Sequence, residues 1–227
     1  MSEVVITVRG EHETRVAPEE AVAHLSVRTE GRERGEVVER MSSLAAPLRD
    51  DLESRKASGV VSEWSSKNVA VWANRPWNNE GKQLALVHYA SVEVTAVFTD
   101  FASLSWWMTD VAEREGVQVD GVTWRLTPAT AKATEADVAA QAVRVAVERA
   151  KAYAGAIGLA SVEPVEIADL GLLTRAEPAP APAPEMGMRA MKASFAMDAS
   201  GGGAPAVELQ PEEIVVSAAV EARFRAS

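Results

Sequence analysis

Ala21-Val22-Ala23-His24-Leu25-Ser26-Val27-Arg28-Thr29 alternates apolar and polar side chains from Ala23 to Arg28. Ala23, Leu25 and Val27 fall on one side of an extended chain, and His24, Ser26 and Arg28 on the other. That is the two-residue period of a strand with one buried face. A turn at 31–35 follows, then a helix on which Val38, Met41, Ala45, Leu48 and Leu52 form one apolar stripe. Pro47 lies inside this helix and is expected to kink or divide it, since proline lacks an N–H and crowds the preceding turn. Residues 60–73 and 84–98 read as two long strands, with Trp64 and Trp72 at the same strand parity. The turn-rich loop Asn74-Arg75-Pro76-Trp77-Asn78-Asn79-Glu80-Gly81 between them predicts an antiparallel hairpin. Thr99 or Asp100 caps a helix carrying Phe101, Leu104, Met108 and Val111, stopped by Gly116. Residues 117–126 are a further strand. The order strand–helix–strand–strand–helix–strand is the split βαβ, or ferredoxin-like, arrangement, with two helices on one face of an antiparallel sheet.

Upstream, residues 3–9 alternate and are β-branched, a strand expected to end at Gly10, with a polar stretch running on to Pro18. Downstream, Pro128 precedes the longest helix, 131–157. Its stripe of Ala139, Val143, Ala146, Ala150, Tyr153 and Ile157 is rich in small residues and suited to close packing. Arg144 and Glu148 make an i,i+4 pair on its wet side. A strand at 162–170 leads into Glu-Pro-Ala-Pro-Ala-Pro-Ala-Pro-Glu at 177–185, a stiff polyproline-like spacer. A Met- and Ala-rich patch, a Gly201-Gly202-Gly203 hinge and a closing strand at 214–224 complete the chain. The expected class is α+β, in two joined two-layer α/β units. Residues 21–127 form the central ferredoxin-like βαββαβ unit. Residues 1–20, 128–175 and 207–227 form a second, discontinuous unit whose N- and C-terminal strands share one sheet. Residues 176–206 are a linker or docking segment.

A chain of 227 residues with 47% hydrophobic residues has ample material for a core. The net charge of −10 and the lack of any basic stripe point away from nucleic acid, whose phosphates need clustered Lys and Arg. With no cysteine, disulfides, thiolate metal sites and cysteine nucleophiles are excluded. The opening residues lack the basic and apolar regions of a secretory signal, and no apolar run approaches a membrane span, so no membrane insertion and a cytoplasmic location are expected.

The pattern resembles the SIMPL-domain family. Ile6-Thr7-Val8-Arg9-Gly10, then Pro18 and Ala21, is similar to its opening strand, glycine and Pro-x-x-Ala step. Gly116-Val117-Gln118-Val119-Asp120-Gly121-Val122-Thr123-Trp124 is similar to an internal strand. The Ala-rich helix of 139–159, ending in Gly158, and the Pro-rich gap before a valine-rich final strand complete the likeness. Glu19-Glu20 replaces the usual Pro-Asp, and Pro211-Glu212-Glu213 stands where Pro-Gly is common; both are turn chemistry. The resemblance implies a two-part α/β fold, ring- or barrel-like homo-oligomers in some members, and links to oxidative stress or the cell envelope. It implies no catalytic residue and no cofactor.

The residues give little chemistry of their own. His12, His24 and His88 are scattered, with no metal-type spacing. His88 sits among Leu84, Leu86, Ala90 and Val92 and reads as a core histidine bonded to backbone, with a buried pH-sensitive group as the alternative, while His24 lies on the polar face and reads as solvated. No nucleophile elbow, Walker loop or dinucleotide fingerprint is present. The paired carboxylates Asp50-Asp51 and Glu212-Glu213 read as surface charge at element ends. Six tryptophans stand out. Adjacent helical residues do not share a face, so of Trp106 and Trp107 one belongs in the core and the other is exposed or against another subunit. Trp77 at the loop tip either marks an interface or plugs its own hairpin. Met186, Met188, Met191 and Met197 lack a helping His or Cys for Cu(I) and read as adaptable packing against a partner. Trp77, Trp106, Trp107, Met186, Met188 and Met191 are therefore the candidate oligomer interface. The leading expectation is a non-enzymatic scaffold, ring or shell whose partner is itself. A small-molecule or unfolded-protein binding module using the Trp- and Met-rich surfaces is the alternative, and an enzyme of unknown mechanism a third.

Overall fold

A computed structural model describes residues 3–173 and 209–227. The described residues form ten elements: β1 (Val4–Val16), β2 (Glu20–Gly31), α1 (Arg34–Ala57), β3 (Val61–Asn74), β4 (Val87–Phe98), α2 (Phe101–Ala112), β5 (Val117–Arg125), α3 (Pro128–Ala156), β6 (Val162–Asp169) and β7 (Ile214–Ala226). They divide into two units, one of residues 18–125 with 209–212, the other of 3–17, 126–173 and 213–227.

The first unit is the ferredoxin-like one, an antiparallel sheet in the order β3-β4-β2-β5. Ala21, Ala23, Leu25 and Val27 of β2 are buried, as the alternation requires, against the helical stripe of Met41, Ala45, Leu48 and Leu52. Helix α1 is continuous through Pro47, so the proline does not divide it in two. Pro47 is exposed, so the carbonyl deprived of its intrahelical donor faces water rather than a dry core. Asp100 is the N-cap of α2, its carboxylate accepting from the Ala102 and Ser103 N–H groups at 3.0 and 3.4 Å. Buried, Trp107 tilts against Phe98 with ring centroids 5.0 Å apart, and Phe101 meets Trp124 edge-on at 4.9 Å, both favoured aromatic geometries.

The second unit is a three-stranded antiparallel sheet, β1-β7-β6, with α3 laid on one face. The N- and C-terminal strands pair along their whole length, Val4 opposite Ala226 and Val16 opposite Ile214. Strand β1 does not end at Gly10 but runs straight through it. Gly10 shares the helix-facing parity of Ile6 and Val8, and a Cβ there would overlap the Ala142 carbonyl oxygen and lie 2.7 Å from the Ala146 nitrogen. It is a crossing point, where helix backbone rests on strand backbone with no side chain between.

The buried face of α3 is Val138, Ala142, Ala146, Ala150 and Ala154, a strict i,i+4 row. The expected stripe included Tyr153 and Ile157, yet these are 53% and 57% exposed. A row of alanines is needed for the approach at Gly10, and bulkier residues would hold the helix off. The small-residue surface is thus consumed by β1 and β7 and is not free for another subunit.

Candidate functional site

The β3–β4 hairpin carries the largest group of exposed apolar side chains in its unit: Val69, Trp72, Trp77, Leu84 and Leu86. Its geometry begins at a bulge. Lys67 opposes Glu93 and Ala70 opposes Ser91, so β3 holds one more residue than β4 between those pairs. Asn68, at φ 52°, absorbs the extra residue in the left-handed region that asparagine tolerates. Its Nδ2 donates to Glu93 Oε2 at 2.8 Å. The bulge reverses the alternation. Trp64, opposite Ala96, packs toward the helices, while Trp72, opposite Tyr89, lies on the other face, so the shared parity of the two tryptophans is overturned. There Trp72 stacks on Tyr89 at 5.4 Å and 13° between planes.

The hairpin tip is tightly bonded. Asn78 Oδ1 accepts from the Glu80 and Lys82 N–H groups at 3.0 and 2.8 Å, the side-chain turn that asparagine favours. Gly81 turns the chain at φ +73°. Trp77 pairs with Gln83 through backbone and is 67% exposed, so its ring does not plug the hairpin. Leu84 and Leu86 precede β4 rather than lying in it, which leaves both side chains exposed.

The adjacent tryptophans divide as helical geometry demands. Trp106 is 52% exposed; Trp107 is 1% exposed and has no surface to offer a partner, so it leaves the interface set. Met186, Met188 and Met191 lie outside the described residues. The Trp107 indole N–H donates to Asp51 Oδ2 at 2.9 Å, and the same carboxylate receives Arg114 at 3.0 Å and Arg55 Nε at 2.8 Å. Asp51, which by its sequence setting reads as surface charge, is therefore the brace between α1 and α2. No sequence signal separates it from Asp50, because Trp107 and Arg114 lie 56 and 63 residues away.

Burial, the largest influence on Asp51, would raise its pKa, but the Trp107 N–H and the two arginines together hold the carboxyl below its ordinary value near 3.8, the outcome when bonds to the charged form outweigh desolvation. Since the folded pKa is the lower one, the brace stabilises the unit above the unfolded-state pKa, and that stabilisation is lost as pH falls through the folded value. Asp51→Asn is expected to be less stable at neutral pH and to show a shallower loss of stability below about pH 4. Urea midpoints between neutral and strongly acidic pH measure this; parallel curves for the two proteins would remove Asp51 from the account.

A cleft of about 730 Å³ opens where β2 outruns β5, lined by Arg28, Glu30, Arg40, Glu115, Trp72 and Tyr89, among others. Arg28 donates to Ser26 Oγ at 3.0 Å and pairs with Asp120 at 3.4 Å, and Arg40 pairs with Glu115. Gly116, at φ +74°, closes the inner side, its carbonyl accepting from the Arg28 N–H at 2.8 Å.

The histidines stay apart. His24 Nε2 lies 3.0 Å from Thr123 Oγ1, half-buried rather than solvated. His88 is half-buried with Nδ1 lacking a hydrogen-bond partner, so the expected backbone bond to this nitrogen is not made. Among the described residues no three His, Asp or Glu side chains converge as a metal site, and no helix is long and apolar enough to cross a membrane.

The model of the SIMPL family, described as a protein of unknown function (DUF541), matches residues 6–224. No curated protein matches the chain.

Proposed function

The chain belongs to the SIMPL family, and on that premise we propose that it is a non-catalytic subunit of a closed homo-oligomeric scaffold, a ring or shell. The observation that carries this reading is the hairpin surface. Val69, Trp77, Leu84 and Leu86 are 64%, 67%, 45% and 39% exposed within one β3–β4 hairpin, whose tip is closed by the two hydrogen bonds to Asn78. An aromatic anchor such as Trp77 is of the residue type that dominates interface energetics, and the aliphatic side chains around it exclude water.

Edge strands support the same reading. β3 and β6 each end their sheets, and β6 exposes Val165 and Ile167, with Leu170 and Leu172 just beyond it. Unpaired edges bearing apolar side chains are templates for association, and closed symmetry buries them without leaving a growing end. The excess of acidic residues keeps finished particles apart. Asp51 with Arg55 and Arg114 acts as a structural brace within one unit. Family resemblance supports a setting in stress responses.

Sedimentation velocity of the intact protein at micromolar concentration tests the proposal. We expect a species several times the monomer mass of 24.2 kDa. Trp77→Ala is expected to weaken assembly about tenfold or more with an unchanged circular dichroism spectrum. A single species of monomer mass over a wide concentration range would overturn the proposal.

A further inference from the structure

We propose that the cleft beside β2 binds a small organic cation, an ammonium or guanidinium group, on the Trp72–Tyr89 stack with Glu30 as its counter-charge. Such a site does not depend on self-assembly. Its basis is a row of three side chains across three strands. Glu30 of β2 stands opposite Tyr89 of β4, and Tyr89 stands opposite Trp72 of β3. Directly opposed residues have Cβ atoms about 5 Å apart, so the carboxylate and the two rings share one face of the sheet at contact spacing. Trp72 reaches this face only because of the bulge at Asn68.

The charges in the cleft decide the sign of the ligand. Both arginines are already neutralised, Arg28 by Asp120 and Arg40 by Glu115. Glu30 has no ion pair and no side-chain hydrogen bond among the described residues, and it is exposed. The uncompensated charge is therefore negative and lies next to an aromatic wall. The faces of tryptophan and tyrosine rings carry negative potential, which attracts cations, and soft, weakly hydrated organic cations above all. A carboxylate beside two stacked rings thus offers the same charge preference twice. An inorganic cation would give up its water for only one unpaired carboxylate, and an anion would be repelled by that carboxylate while both arginines are already paired. The cleft volume of about 730 Å³ takes a ligand well beyond a single ammonium group in size.

Choline and its uncharged isostere 3,3-dimethylbutan-1-ol are the probes, titrated into the full-length protein with saturation-transfer NMR on their methyl signals. Choline is expected to bind saturably with a Kd on the order of millimolar, and the neutral alcohol at least about tenfold more weakly. Glu30→Gln and Trp72→Leu, both at exposed positions, are each expected to weaken choline binding about tenfold while leaving the circular dichroism spectrum unchanged. Equal binding of choline and the alcohol would overturn the proposal, since it would show an apolar pocket without charge selection. So would choline binding that neither substitution alters, or saturable binding of inorganic phosphate in place of choline.

Discussion

Gly10→Ala is expected to destabilise the β1-β7-β6 unit by about 3 kcal/mol or more, the upper range for forcing an atom into packed structure. The added methyl meets backbone on the facing helix, the Ala142 carbonyl oxygen and the Ala146 nitrogen, and no side-chain rotamer change can clear it. Helix α3 would have to lift from β1. That movement would pull the Ala142–Ala154 row from the sheet and break the 2.7 Å bond from Arg149 Nη1 to the Arg9 carbonyl. Gly155, in the same helix, has nothing near the position of an added Cβ. Gly155→Ala is therefore expected to stabilise by up to about 1 kcal/mol through helix propensity alone. Urea unfolding followed by far-ultraviolet circular dichroism measures both. All six tryptophans lie between residues 64 and 124, so their fluorescence reports separately on the ferredoxin-like unit. Equal midpoints for the two alanine variants would refute the crossing-point account.

The second large effect separates two neighbouring residues of one type. Trp107→Ala is expected to cost about 3–5 kcal/mol, the range for deleting a large aromatic ring from a core. It removes the ring packed on Phe98 and takes one hydrogen-bond donor from Asp51. Trp106 is more than half exposed. Trp106→Ala should change monomer stability by no more than about 0.5 kcal/mol, as surface substitutions do. Its effect, if Trp106 touches a second subunit, falls on assembly instead. Urea denaturation at a concentration where assembly is constant distinguishes the two, and similar losses from both substitutions would contradict the burial assigned to them.

The element order and the ferredoxin-like arrangement were legible in the sequence because both are written in local periods. Ala23, Leu25 and Val27 recur every second residue, and Met41, Ala45, Leu48 and Leu52 every third or fourth; each period names one element type and its buried face. A cap at Thr99 or Asp100 was readable for the same reason, and the bonds from Ala102 and Ser103, two and three residues on, select Asp100. Family membership was legible too, carried by the order of Gly10, Pro18, Gly116 and Gly158 and the Pro-rich gap before the final strand.

What tertiary structure alone decided are the choices between locally equivalent options. Gly10 has the local signature of a strand end, and only the backbone of α3, far along the chain, makes it an in-strand crossing. Trp106 and Trp107 are equally apolar, and only Phe98 and Asp51 select the second for the core. Trp64 and Trp72 have equal parity until one extra residue at Asn68 turns them to opposite faces, which creates the Trp72–Tyr89 stack and the cleft beside it. A local pattern states that a residue has a buried side and how often that side recurs. Which side meets a partner, and how closely, depends on where distant backbone lies, and no short stretch of sequence contains that distance.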